Sequence, residues 1–201
     1  MVTINAVQVK QLRDKTGAGM MECKTALSEA NGNIEEAVTL LRKRGLAQAA
    51  KRAGRATAQG VIGSYIHIGG RIGVLVEVNC ESDFVARTDV FQSLVKEVGM
   101  HIAAADPKWV RREDVSPGAI EKEKSIYRAQ MERSGKPPNV LDKIVEGKLG
   151  SFYSQFVLLD QPTIRDPNVT VSQLLAEMSA KTGENITIGR FTRYLVGEGN
   201  A

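Results

Sequence analysis

The sequence contains few of the residues that most often carry catalysis or bind metals. It has two cysteines and two histidines among 201 residues. Cys23 and Cys80 lie far apart and match no metal-site spacing, so we interpret them as partly buried thiols of a reducing compartment. No nucleophile accompanies His67, in a predicted strand, or His101, in a predicted helix, and a structural role is favoured for both. These absences argue against an enzyme, a resident metal and a cofactor.

Long apolar runs and targeting segments are also lacking. No stretch approaches the roughly 20 apolar residues that cross a bilayer. Residues 1–15 are polar and lack the basic start and apolar block of a signal peptide. The phosphate-binding patterns G-x-x-x-x-G-K-[ST] and G-x-G-x-x-G are absent as well. We therefore expect a cytoplasmic protein with no membrane association.

Aromatic residues make up only 5% of the chain, while the formal net charge is +4 and the isoelectric point about 9.1. The densest basic stretch, residues 42–55, contains no aromatic side chain that would stack on a base. A mild positive excess without stacking residues does not favour nucleic-acid binding as the main function. A basic RNA-binding protein nevertheless stays an alternative.

What the sequence does contain is a set of three short helices at its N-terminus. Asn5 starts a capping-box pattern, and Gly17 should end the first helix. Apolar residues recur at helical spacing over 20–30 and again over 34–41, and the third helix is expected to end at Gly45. The pattern resembles a ubiquitin-associated (UBA-type) three-helix bundle, which is a docking module.

The hydrophobic pattern then changes from helical to alternating. Residues 62–68 and 71–78 are predicted to form two strands joined at Gly69-Gly70, a hairpin signal, and residues 79–87 are expected to leave the strand. Helical patterns and a last strand at 185–196 follow. The predicted fold class is α+β: an N-terminal three-helix bundle, then a small antiparallel sheet packed with helices.

The domain boundary is placed in the Ala-rich, basic segment after the third helix. Residues 1–54 would form the UBA-like domain with the start of a linker helix. Residues 55–201 would form the α+β core domain.

An acidic pair next to an aromatic residue follows the predicted hairpin. Glu81 and Asp83 flank Ser82, and Phe84 comes next. One interpretation is a polar turn that Phe84 anchors to the core. The other is an exposed Phe beside a carboxylate, a composition typical of an interface hot spot. Spacing alone leaves both open.

Longer motifs spread over nearly the whole chain resemble those of the translation elongation factor Ts family. They are VKQLRDKTGAGMMECK (9–24), ANGNI (30–34), VEVNCESDFVA (76–86), MHIAA (100–104), VEGK (145–148), LLDQP (158–162) and GENI (183–186). Ser82 stands where the family usually has Thr, and both residues carry a hydroxyl group. Longer members have a second core subdomain and a coiled-coil insertion, so this chain resembles the short form.

The resemblance implies a guanine-nucleotide exchange factor that binds elongation factor Tu in its GDP-bound and nucleotide-free forms. The element formed by Ser82, Asp83, Phe84 and Val85 would press on Tu near its Mg²⁺ site, so that GDP leaves and GTP binds. Further contacts with Tu are implied for Arg13, Met20, Met21 and His101, although periodicity alone would place Met20 in the core. The resemblance also implies a homodimer. A UBA-type adaptor with an unrelated α+β domain is the rival hypothesis.

Overall fold

Residues 4–131 and 138–198 are described by the computed structural model. Three strands form one antiparallel sheet in the order β1-β2-β3, which confirms the α+β class. The elements are α1 (Ala6–Thr16), α2 (Met20–Glu29), α3 (Ile34–Arg52), β1 (Gln59–Ile66), β2 (Ile72–Cys80), α4 (Asp83–Ala86), α5 (Asp89–Ala105), α6 (Pro117–Met131), α7 (Pro138–Phe156), α8 (Val171–Thr182) and β3 (Thr187–Leu195).

The chain packs as two compact units, each assembled from separate stretches of sequence. Unit 1 comprises Met1–Val61, Asn79–Gln92 and Gln173–Thr187, and unit 2 comprises Ile62–Val78, Ser93–Ser172 and Ile188–Ala201. The predicted boundary between residues 54 and 55 separates two domains that are each continuous in sequence. The two units are defined by packing within the folded chain, which does not test such domains, so the boundary stays a prediction.

Unit 1 begins with the three predicted helices, which surround a small apolar core. The capping box forms as predicted: the Asn5 side chain accepts a hydrogen bond from the Gln8 amide at 2.8 Å, and the Gln8 side chain accepts one from the Asn5 amide at 3.2 Å. Gly17 ends α1 in the left-handed conformation, with φ of +68°, which glycine adopts without strain. The buried core residues are Val9, Leu12, Cys23, Ala26, Leu27, Ala30 and Ala37.

Helix α3 does not end at Gly45, and that prediction is wrong. The helix continues to Arg52, and Gly45 is buried within it. A Cβ atom added at Gly45 would lie 3.3 Å from the Cβ of Ala180 in α8, so the glycine serves a close approach between two helices of unit 1. The start of the predicted linker helix is therefore the C-terminal part of α3.

Unit 2 contains the predicted hairpin and most of the helix that covers it. Val74, Val76 and Val78 are buried on one face of β2, as alternation predicted. Apolar residues at helical spacing also form the buried face of α5, where Leu94, Val95, Val98 and Ile102 are all buried. A Cβ added at Gly63 of β1 would come within 2.2 Å of Val95 Cγ1, so the strand and the helix are in direct contact there.

Strand β2 extends further than its alternation predicted. It continues to Cys80, whose buried side chain prolongs the apolar face of the strand. Residues 83–86 then form the single helical turn α4. The expectation that the chain leaves the strand at residue 79 was therefore wrong by two residues.

A second apolar cluster in unit 2 joins helices α6 and α7 to the segments next to them. Val115, Phe152 and Val157 are its buried centre, and Trp109 and Phe156 pack against it. The turn residues Ser134-Gly135 predict that α6 ends there, and this position lies outside the described residues.

Candidate protein-interaction site

The acidic and aromatic segment forms an exposed helical turn directly after β2. The side chain of Phe84 is 78% exposed, so it does not anchor the turn to the core. Asp83 beside it is half exposed, and its Oδ2 accepts a hydrogen bond from Arg87 Nη2 at 2.7 Å. Of the two interpretations left open by the sequence, the exposed Phe beside a carboxylate is the correct one.

Local hydrogen bonds explain why the chain turns at this point. The Ser82 hydroxyl oxygen accepts from the Val85 amide at 3.4 Å and caps α4. The Thr88 hydroxyl donates to the Val85 carbonyl at 2.8 Å and accepts from the Phe91 amide at 3.3 Å, so that α5 begins at once. A serine supplies the capping hydroxyl as a threonine would.

The backbone just before α4 is held by Glu184, in the segment that follows α8. One carboxylate oxygen, Oε2, accepts from the amides of Glu81 and Ser82, both at 3.0 Å. The other, Oε1, accepts from the Ser82 hydroxyl at 2.5 Å. Bonds to an ionised acceptor are stronger than neutral ones. The start of the exposed turn is therefore attached to a segment about a hundred residues away.

Asn185 connects the same segment to the end of α3. Its side-chain amide donates to the carbonyls of Ala53, at 3.4 Å, and Arg55, at 2.9 Å. Its backbone amide donates to Glu81 Oε1 at 2.6 Å, and Arg55 forms an ion pair with the same carboxylate at 3.4 Å. In the sequence, residues 183–186 are indicated only by the motif that they share with the resembling family. The signal that was missed is a polar pair placed directly after the glycine that ends α8.

Three of the remaining predicted contact residues lie exposed on the helices of unit 1. Arg13 is exposed near the end of α1. Met21 is 72% exposed and Met20 is 58% exposed at the start of α2. The periodic interpretation of Met20 as a core residue is therefore wrong, because the buried face of α2 begins one turn later, at Cys23.

His101 is placed differently from the other predicted contact residues, because its side chain is buried in unit 2. Gln161 donates to the carbonyls of Ala105 and Gln155, so its Oε1 accepts from His101 Nε2, 2.9 Å away. His101 Nδ1 has no hydrogen-bond partner among the described residues. Burial lowers the pKa of His101, against the opposing effects of the Gln161 hydrogen bond and the Glu97 charge. Its contact with a partner stays a prediction.

The two thiols do not form a disulfide with each other. Cys23 and Cys80 are free and buried, and burial raises the pKa of each thiol. His67 is exposed, 3.1 Å from the Tyr65 hydroxyl. Within residues 4–131 and 138–198 no cluster of three or more metal-ligating side chains occurs. The helices of the same two stretches are all too short or too polar to cross a membrane.

Most of the arginines of the basic stretch 42–55 are bound within unit 1. Ion pairs join Arg42 to Glu177 at 3.1 Å and Arg44 to Glu29 at 2.5 Å. Arg52 donates to the carbonyl of Ser179 at 3.3 Å. The two ion pairs offset part of the positive charge that would otherwise attract a nucleic-acid backbone.

Comparisons with known proteins agree over almost the entire chain. The family model described as elongation factor TS matches residues 2–198. The chain is 60% identical over 196 residues to an elongation factor Ts of Caldanaerobacter subterraneus subsp. tengcongensis, with 98% of both chains covered. It is 57% identical over 197 residues to an elongation factor Ts of Koribacter versatilis, covering 98% of this chain and 90% of that protein. With an elongation factor Ts of Geobacter sulfurreducens the identity is 54% over 198 residues, with 98% and 92% covered.

Proposed function

The chain belongs to the elongation factor Ts family, and from that premise we propose that it is a guanine-nucleotide exchange factor for elongation factor Tu. Membership makes it a translation elongation factor, acting in protein biosynthesis. The proposed activity is faster release of GDP from Tu, after which GTP binds. No covalent bond is made or broken, so the chain is not an enzyme.

One observation carries the proposal, namely the exposure of Phe84 beside Asp83 on a turn that is anchored from behind. Because the Phe84 ring is 78% exposed, its apolar surface contributes little to the stability of the folded chain. The same ring gains free energy when a partner covers it, and interface hot spots are built in this way. We propose that Asp83 and Phe84 enter Tu near its Mg²⁺ site, while Ser82 and Val85 form the base of the turn.

The free energy gained by burying Phe84 limits how much this turn alone can accelerate GDP release. Burying a Phe side chain is worth roughly 1.5–3 kcal/mol. Each tenfold gain in rate requires about 1.4 kcal/mol. The ring therefore accounts for roughly one to two powers of ten, and a larger acceleration needs further binding energy that is realised as Tu changes shape.

Helices α1 and α2 of unit 1 are the proposed source of that further binding energy. Met20 and Met21 present flexible, polarisable side chains to solvent, which adapt to the shape of a partner surface. Arg13, exposed on α1, adds a positive charge. We propose that these residues bind Tu while the Phe84 turn disturbs the nucleotide site.

An exchange factor of the short form is also expected to have a particular oligomeric state and cellular location. Two copies of the short form are proposed to associate as a homodimer. The site of action would be the cytoplasm, where Tu works. No nucleic-acid contact is proposed, because the arginines that concentrate positive charge in α3 are paired with Glu177 and Glu29.

The experiment that tests the function follows GDP release from Tu by stopped-flow fluorescence. Tu loaded with a fluorescent GDP is mixed with the chain and an excess of unlabelled GTP. We expect the release rate to rise with chain concentration and then to saturate. A rate that stays at the spontaneous value would refute the exchange activity and favour the UBA-type adaptor. Tight, steeply salt-dependent RNA binding would instead favour the RNA-binding alternative.

A further inference from the structure

Helix α4 is too short to determine its own position. It has four residues, and an isolated helical turn is unstable because nucleation costs more than one hydrogen bond returns. Two backbone bonds hold it together, from the Ala86 amide to the Ser82 carbonyl at 3.3 Å and from the Arg87 amide to the Asp83 carbonyl at 3.2 Å. The direction in which Phe84 points must therefore be set by contacts from outside the turn.

The carboxylate of Glu184 supplies three such contacts in one place. It accepts hydrogen bonds from the backbone amides of Glu81 and Ser82, which lead into α4, and from the Ser82 hydroxyl, which caps that turn. Two consecutive amides bound to one oxygen define the orientation of the backbone at Ser82, and the third bond defines the rotamer of its side chain. Ala86, which is buried, anchors the other end of the turn.

We propose that Glu184 is a positioning residue for nucleotide exchange. It holds the backbone at Ser82 so that Phe84 is already in place when a partner arrives, and Asn185 braces the carboxylate of Glu81 in the same network. This inference rests on the proposed exchange function. Pre-ordering matters because each group that must be ordered on contact subtracts from binding energy, and a misplacement of about 1 Å costs up to about 100-fold in rate.

Three variants separate positioning from general stability. Glu184→Ala removes all three acceptors, whereas Glu184→Gln keeps an oxygen for the two amides and an NH₂ group that can donate to the Ser82 hydroxyl. The matched control is Glu177→Ala, which removes another half-exposed glutamate of unit 1 that pairs with Arg42, away from α4. Circular dichroism verifies folding, and Glu184→Asp, one methylene shorter, replaces Glu184→Ala if that variant does not fold.

Two measurements are made on each folded variant. Stopped-flow release of fluorescent GDP from Tu gives the maximal rate and the half-saturating concentration. Hydrogen exchange of the free protein reports the amides of Glu81 and Ser82. For Glu184→Ala we expect the maximal rate to fall by about tenfold or more, a smaller change in half-saturation, and faster exchange of the two amides. Glu184→Gln should restore most of both, and Glu177→Ala should leave both unchanged.

Each remaining outcome contradicts a stated claim. A wild-type maximal rate for Glu184→Ala would overturn the positioning role while leaving the exchange function intact. Unchanged protection of the Glu81 and Ser82 amides would do the same, because the carboxylate would then not hold them. A Gln variant as slow as the Ala variant would also overturn the positioning role, because the hydrogen bonds that it keeps would then not be what sustains the rate. If the wild-type chain itself fails to accelerate release, the exchange function falls, and this inference falls with it.

Discussion

Replacing Phe84 with alanine separates the contribution of this side chain to binding from its contribution to folding. The ring is 78% exposed, so the folded chain loses little when it is removed. We expect a change in the free energy of unfolding within about 0.5 kcal/mol, the usual range for exposed positions. A core aromatic behaves differently: Phe91 is fully buried, and its replacement by alanine should cost about 3–5 kcal/mol.

The loss of exchange is calculated from the burial that the ring gains on Tu. If the contact buries most of the exposed ring and forms only as Tu loses GDP, it lowers the barrier to release by about 1.5–3 kcal/mol. At about 1.4 kcal/mol for each power of ten, the maximal rate of GDP release should fall roughly 10- to 150-fold. The residual acceleration above the spontaneous rate would come from the helices of unit 1.

The assay is stopped-flow release of fluorescent GDP from Tu at saturating concentrations of each variant. Tyr194→Ala serves as the control, since it removes an aromatic side chain that is 67% exposed in unit 2. We expect the control to release GDP at the wild-type rate. A Phe84→Ala variant that folds normally and keeps the full wild-type rate would show that the ring does not contribute to GDP release.

Three further predictions concern packing, titration and assembly. Gly63→Ala places a Cβ 2.2 Å from Val95 Cγ1 and should lower stability by about 1–3 kcal/mol in thermal unfolding, whereas Gly147→Ala, with nothing within 4 Å, should not. The pKa of His101 is lowered by burial, so stability is complete above the ordinary histidine pKa of about 6.5 and should fall as pH drops below it. His101→Gln should remove that slope while His67→Gln keeps it; equal slopes in both variants would contradict the assignment. For the homodimer, light scattering should give twice the chain mass, and a monomer at all concentrations would exclude it.

Much of the fold could be predicted because its signals are local. The Asn5 capping box, the left-handed Gly17 and the alternation of β2 each depend on residues a few positions apart. The apolar stripe of α5 likewise follows from helical spacing. Such patterns are readable in one sequence because each is determined by neighbouring backbone geometry.

The parts that were missed depend on residues distant in sequence. Gly45 was predicted to end a helix because glycine often does so. The reason for this glycine is its close neighbour Ala180 in α8, which the local sequence does not show. The exposure of Phe84 could not be decided from spacing, since a polar turn and an interface turn have the same composition. The role proposed for Glu184 depends on bonds to Glu81 and Ser82 across about a hundred residues, and the polar pair after Gly183 does not reveal those partners.

We propose that the chain, as an exchange factor, binds nucleotide-free Tu more tightly than GDP-bound Tu. Affinities are reciprocal, so a chain that weakens GDP binding must itself be weakened by GDP to the same extent. A ligand that binds two states equally shifts nothing between them. The most direct measurement is calorimetric titration of the chain into Tu with and without GDP. We expect clearly tighter binding without GDP, and equal affinity for the two forms would show that the chain does not drive nucleotide exchange.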